Sequence, residues 1–458
     1  MQSCKAIDLS ALFGFALLLT ASAASARHET PAAAAPQEDY ASSPMPTGFK
    51  VVINEVEGPV FADQNGRTLY TWPLHGLRNG TVGDRKNVAS SCTSVIEKVN
   101  SGMMSPYPAG YTLPEIAARK SCAEEWPPTL AGIDAKPVGK WTIIQRRDGG
   151  KQWAYEGYPA YTSSLDHQPG DVLGGTKRKL PGDAPAVRVP IGPHPDIPPG
   201  FVIAEVGTGR MLVTYSGLSV YVWDADSAGK SNCIGECLKK WTPVAAAEES
   251  RAHGEWTIIE RSPGIRQWAF RSKPLYTYIP DTRRDSLAGS DEPGWHNVYT
   301  LPAPAWPREF RQQETHSGIV LADSHGRTIY VYSCGDDAYD QLACDYPSTP
   351  QEYRIAVCGG GDAGRCLKTW PPVLAPKNAK APSRSWTTID IDPLSGHFAP
   401  PGQPGAIHVW AYRGRPVYTF AGDKTAGDVN GDAWGEFYGF RNGFKAFWLR
   451  DDFYANAG

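Results

Sequence analysis

Three kinds of side chain in this sequence stand at spacings that could do chemistry. The first is a set of tyrosines, Tyr70, Tyr161, Tyr221, Tyr276, Tyr330 and Tyr418. Several have a second aromatic two residues on (Trp223, Tyr278, Phe420) and an aspartate five residues on (Asp166, Asp226, Asp281, Asp423). Aligned aromatic faces give large contact at low entropy cost, which suits a sugar or another flat ligand. The second kind is the run "GDVNGDAW", where Asp428-x-Asn430-x-Asp432 imitates the opening of a calcium loop. Ala433 stands where that loop needs Gly and Gly439 where it needs Glu, so only an irregular Ca²⁺ site is expected. The third kind is cysteine, discussed below.

Each has a structural reading beside the chemical one. A buried ring stabilises by about 1.5–3 kcal/mol through its area alone, and a motif used six times has the character of core filling. An aspartate five residues past its tyrosine falls where a strand ends, and there carboxylates accept backbone N–H groups in turns. The elements follow from period two: Tyr221 and Trp223 point one way and Val220 and Val222 the other, so the strand is apolar on both faces and covered on both. Gly-containing turns upstream of each tyrosine read as hairpins, six in all, with Trp153 and Tyr155 expected across from Tyr161 and its neighbours.

These pieces recur in one order. "FADQNGRTLYTW" matches "LADSHGRTIYVY" and, more loosely, "TYSGLSVYVW". Cys-x-x-x-Trp-x-Pro follows at Cys122, Cys237 and Cys366, then "WTIIQRRDGGKQWAY", "WTIIERSPGIRQWAF" and "WTTIDID…HVWAY". The expected architecture is all-β: three homologous modules of paired β-hairpins at 50–179, 201–300 and 316–458, disulfide-stapled, with Pro-rich linkers at 180–200 and 301–315. The alternative is one closed, propeller-like array of six hairpin blades. The single short helix expected is Leu113–Trp126, which carries Cys122.

The N-terminus reads as an export signal over residues 1–26, with Lys5, the apolar "LSALFGFALLL" and the small-x-small site Ala24-Ser25-Ala26, followed by a flexible leader at 27–49. The apolar run is too short for a convincing membrane span, and none is expected after its removal. With Cys4 gone, eight cysteines remain for an oxidising, extracytoplasmic compartment. Cys92–Cys122, Cys233–Cys237 and Cys358–Cys366 are expected as the equivalent bond of each copy, with Cys334–Cys344 extra in the third. Cys233-x-x-x-Cys237 has one residue too many for the redox motif.

The tyrosine phrases resemble a known family, the bacterial lipoproteins and secreted proteins built from the "secreted repeat", whose mark is Tyr-x-(Phe/Trp/Tyr)-x-x-Asp. The match is complete at Tyr221–Asp226, Tyr276–Asp281 and Tyr418–Asp423. It departs at Tyr70, where His75 replaces Asp, at Tyr161, where Ser163 replaces the aromatic, and at Tyr330, where the aspartate slips to Asp336. The resemblance implies an envelope location and a shared fold; it carries no activity.

A net charge of −3 with mixed signs and no basic block argues against a nucleic-acid partner. No Gly-x-Ser-x-Gly elbow, His-Glu-x-x-His or phosphate loop appears. The function expected is therefore an exported, non-enzymatic binding or scaffold protein of the cell envelope with an unknown envelope or extracellular ligand and no cofactor. Recognition is expected at "CGDDAYDQLACDYP" and "GHFAPPGQPGAIH" in the third copy. The competing class is a metal- or cofactor-dependent extracytoplasmic enzyme of redox or hydrolytic type.

Overall fold

The computed structural model describes residues 38–77, 80–95, 121–174, 188–334, 358–394, 397–432, 434–435 and 442–452. The signal, Cys344 and the 335–347 part of the third-copy loop lie outside them. Each copy of the repeat is organised about one antiparallel strand pair that carries its two tyrosines. Tyr70 faces Tyr161, Tyr221 faces Tyr276 and Tyr330 faces Tyr418. Two further elements flank each pair. One is an opening hairpin: Lys50–Asn54 with Gly58–Ala62, Phe201–Val206 with Gly209–Thr214, and Arg311–Thr315 with Gly318–Ala322. The other is a meander that ends in the second tyrosine strand, as in Trp141–Gln145, Lys151–Tyr155 and Tyr158–Tyr161. Every sheet has two free ends, so no barrel closes among the described residues, as modules built of paired hairpins require.

The expected ladder of Trp153 and Tyr155 against Tyr161 and its neighbours holds for Tyr155, which faces Tyr158, and is corrected for Trp153. Trp153 faces Ile143 and Tyr155 faces Trp141. The strands carrying Trp153 and Tyr161 splay apart after Ala154–Pro159, and the Pro128–Leu130 segment inserts between them: the Thr129 N–H donates to Ala160 O, and the Trp153 N–H donates to Thr129 O. A proline-rich stretch can do this because Pro128 needs no donor on the side where Pro127 and Pro128 have none.

Period two in the first tyrosine strand sorts each module into two cores. Tyr70 and Trp72 pack with Cys92 and Trp126, while Leu69 packs with Trp141 and Trp153. In the second module Tyr221 joins Cys233 and Trp241, and Val220 joins Trp256 and Trp268. In the third, Tyr330 and Tyr332 join Cys366 and Trp370, and Val331 joins Trp386 and Trp410. The strand is thus apolar on both faces because both are covered.

The modules begin earlier, and the first ends later, than the sequence reading puts them. Three entry turns, Pro46 to Phe49, Pro198 to Phe201 and Pro307 to Phe310, each close with the Phe N–H donating to the Pro carbonyl, at 3.0, 3.3 and 2.9 Å. Each phenylalanine then meets two tryptophans of its module. So the end of the expected leader and of both expected linkers is folded structure. Glu38 of the leader is buried against Arg210. Val189–Pro190, inside the expected 180–200 linker, forms the edge strand beside Tyr70–Thr71. Arg311–Thr315, inside the 301–315 linker, opens the third module. Proline marks a linker in sequence because it cannot enter a central strand, yet an edge strand tolerates it.

The helix expected at Leu113–Trp126 is described from Cys122, over Cys122–Glu125. Its counterparts are the 3₁₀ turn Gly235–Lys239 and the helix Ala363–Thr369. The last two were not anticipated because four to seven residues are too few to show a helical period.

The modules touch pairwise. The first meets the second through Glu38 and Arg210 (2.6 Å). The second meets the third through Arg283–Asp452 and Arg450–Asp291. The third returns to the first through Arg384–Asp171 and the buried pair Arg413–Glu57. A loop after each second tyrosine shows one local strain. Gly170 (φ 81°) and Gly427 (φ 86°) align with Asp285 (φ 55°), and all three N–H groups bond the turn glycine opposite. Asp285→Gly is expected to stabilise the protein by about 0.5–1 kcal/mol, since the left-handed backbone is costless only for Gly. A urea titration checks this; a loss of stability would refute it.

Candidate binding site

The tyrosines are the first place to look for chemistry, and all six are 0–1 % exposed. Their hydroxyls are bonded across the strand pair. Tyr221 donates to Asp281, the aspartate trailing Tyr276, at 2.7 Å, and Tyr276 donates to Asp226, the aspartate trailing Tyr221, at 2.8 Å. Tyr70 donates to Asp166 and Tyr330 to Asp423, both at 2.7 Å. Tyr161 donates to Asp84, which serves where His75 displaced the expected aspartate. Among the described residues the motif is therefore reciprocal in the first two modules, where each half supplies the carboxylate for the tyrosine of the other, and in the third Asp423 of the second half serves Tyr330.

The other oxygen of each aspartate holds its own loop. Asp166 accepts from the Leu173 N–H, Asp226 from Asn232 and Asp423 from Asn430. Burial, above all, raises the carboxyls, Asp166 to about 7 and Asp423 to about 6. Burial also pushes Tyr276 up to about 12, and Tyr70, Tyr161, Tyr221 and Tyr330 upward. A hydroxyl so hard to ionise is a poor nucleophile or general base.

The second aromatic of the first half lies in a three-layer sandwich. In the second module Trp295 is stacked between Trp223 (5.3 Å) and Trp241 (3.5 Å), and in the third Phe444 stacks on Trp370 (3.5 Å) while Tyr332 meets it edge-on (5.2 Å). In the first module the filling is the Arg188 guanidinium, 4.0 Å from the Trp72 centroid and 4.7 Å from that of Trp126. In the second half, Tyr278 and Phe420 lie on the same tryptophans, at 4.6 and 4.4 Å from Trp241 and Trp370.

The calcium candidates face different ways. Asp428 accepts from the Lys424 and Thr425 N–H groups and the Thr425 hydroxyl, as its counterpart Asp171 accepts from His167 and Gln168. Asp432 accepts from the Ala446 N–H and the Trp448 indole, each at 2.8 Å, and the Asn430 N–H is spent on Asp423. Cys92–Cys122, Cys233–Cys237 and Cys358–Cys366 are joined, with Cα separations of 5.2, 5.3 and 5.0 Å. Cys344 lies outside the described residues. Glu124 caps Ser121, and Glu125 accepts from Ser164. In the loop expected to recognise a ligand, Phe398 bridges Ile391 and His408 pairs with Asp390 at 2.7 Å, so this stretch extends a hairpin.

A cleft of about 950 Å³ opens on the first module, at residues the sequence reading did not single out. One wall is the entry turn from Met45 to Phe49. A second is the tip of the turn from Asp63 to Arg67, and the third runs from Pro128 to Val138. Asp63 accepts from the Asn65 and Arg67 N–H groups and from the Arg67 guanidinium, at 2.8–3.0 Å, so Gln64 and Asn65 stand on a locked turn. Thr129 Oγ1 lies in the third wall, buried, with no hydrogen-bond partner among the described residues. The available signal was the recurrence of Pro-Thr-Gly-Phe, Pro-Pro-Gly-Phe and Pro-Arg-Glu-Phe ahead of each copy.

Comparison with known proteins returns one family model. It is described as a secreted repeat of unknown function and matches residues 202–245 and 407–440. The first match spans the Tyr221 strand and the second the Tyr418 strand, one a first half and the other a second half. No curated protein and no solved structure matches the chain. No helix among the described residues is long and apolar enough to cross a membrane.

Proposed function

We propose that this exported protein, built on the secreted repeat, is a non-enzymatic binding or scaffold protein of the cell envelope. One observation carries the reading: the residues that recur with the repeat are bonded to one another inside the modules, so the repeated motif supplies cohesion. The tyrosines of the motif and their aspartates are buried, so among the described residues this pair offers no exposed acid, base or nucleophile. What varies between modules is the surface, and loops held on a rigid scaffold are where recognition is built.

The alternative class, an enzyme that works through a metal or a chromophoric cofactor, predicts different material. Elemental analysis, calcium included, and an absorption spectrum of protein purified from its export compartment separate the two. The expected result is no stoichiometric metal and no visible band. A stoichiometric transition metal or a coloured protein would overturn the proposal.

A further inference from the structure

We infer that the cleft of the first module binds a neutral saccharide, held between Phe49 and the amide tips Gln64 and Asn65. The inference rests on the binding-protein reading and gives that reading a ligand class.

The same three positions compared across modules point to this cleft. Phe201 and Phe310 are 6 % and 5 % exposed, whereas Phe49, at the same place in its entry turn, is only partly buried and lines the cleft. One residue before the turn, the third module has Trp306 packed on its core, and the first has the slimmer, unbranched Met45. The turn that carries Gln64 and Asn65 carries Ser324 and His325 in the third module, locked by Asp323 as the first is by Asp63. The lock is repeated and the tip is not.

The lining fits the class. A pyranose presents an apolar C–H face and vicinal hydroxyls; a partly open aromatic ring suits the first, and planar side-chain amides, donor and acceptor together, suit the second. The charged side chains of the lining balance: Asp63 is paired with Arg67 at 2.8 Å, and Asp134 stands with Lys136. A ligand with strong net charge therefore gains no advantage there. An extended peptide is disfavoured because the strand in the wall, Pro128–Leu130, already has neighbours on both sides and offers no open ladder. The volume is within the range of small-ligand sites, roughly 300–1,000 Å³.

Calorimetric titration of the full exported chain against neutral gluco-, manno-, xylo- and N-acetylglucosamine oligomers tests the inference. Uronic acid oligomers and a proline-rich peptide serve as comparison ligands. A neutral oligomer is expected to bind, with Phe49→Ala and Asn65→Ala each weakening it about tenfold or more and Ser324→Ala leaving it unchanged. Asn65 is on a surface tip, so its variant reads the site even if Phe49→Ala perturbs folding. Binding of only uronates or the peptide, no binding at all, or affinity indifferent to Asn65→Ala would overturn the ligand class. Release of shortened products would instead overturn the non-enzymatic reading while upholding the saccharide, so the two failures are distinguishable.

Discussion

Replacing Arg413 with Met is expected to destabilise the protein by about 3–5 kcal/mol, the cost of removing one partner from a buried ion pair. The Arg413 and Glu57 side chains are 3 % and 4 % exposed, with Nη1 donating to Glu57 Oε1 at 3.2 Å; the second guanidinium nitrogen donates to the Val172 carbonyl. The variant removes the cation and leaves Glu57 buried without that contact. Glu57→Gln removes the opposite member and is expected to cost a similar amount. The double variant is expected to cost less than the sum, because each single change leaves a charge behind that the other would have removed. Urea denaturation of the three variants completes the cycle. Additive losses, or a loss below about 1 kcal/mol for Arg413→Met, would show that the contact contributes little to holding the third module on the first.

Nothing in the sequence marks Arg413 for this role. It stands first in a two-residue hairpin turn, with φ 48°, in the place taken by Glu156 (φ 49°) and Arg271 (φ 48°) in the other copies. Those two pair within their own modules, with Lys140 and Glu255. The turn is legible because local backbone chemistry selects it; the partner is not, because it is 356 residues away. The same divide runs through the fold. Alternation in "VYVW" and "WAYRGRPVY" revealed strands covered on both faces, and the repeat revealed which cysteines correspond. Register escaped, since period two says which face a residue takes and not which strand it meets: Trp153 was assigned to Tyr161 and meets Ile143. The reciprocal tyrosine–aspartate bonds escaped for the same reason, although both members of each motif were seen. Arg188 escaped because a cation filling a slot between two indoles looks in sequence like an ordinary linker residue. The cleft depends on what its module lacks relative to the third, a tryptophan before the entry turn, and a motif search registers presence only.

Stability is expected to fall as pH rises from 5 to 8, which follows from the reciprocal carboxyls. Asp166 is held at about 7 in the folded protein against an ordinary value of 3.8, and Asp423 at about 6, because burial disfavours their charged forms more than the Tyr70 and Tyr330 hydroxyls and the loop N–H groups favour them. A carboxyl whose folded value lies above its unfolded one contributes stability that is fully present below about pH 4 and lost as pH rises through the folded value. For Asp166 the full span is on the order of 4 kcal/mol, of which about 3 kcal/mol falls above pH 5. Carboxylates held below their usual range, such as Asp428 beside Thr425, act in the more acid window and do not oppose this slope. Asp166→Asn keeps the shape of the neutral acid at every pH, with its oxygen still able to accept from Leu173 and its amide able to donate to Tyr70 oxygen. That variant is expected to flatten much of the slope and to equal or exceed the unaltered protein at pH 8. Urea midpoints at pH 5, 6.5 and 8 for the unaltered protein, Asp166→Asn and Asp423→Asn read the effect directly. A midpoint that stays level or climbs between pH 5 and 8, or an Asp166→Asn slope as steep as the original, would mean that these carboxyls stay ionised inside the modules. The two predictions meet at one residue. The Arg413 cation lowers Asp166 through space, so Arg413→Met should steepen the pH dependence as well as lower the stability.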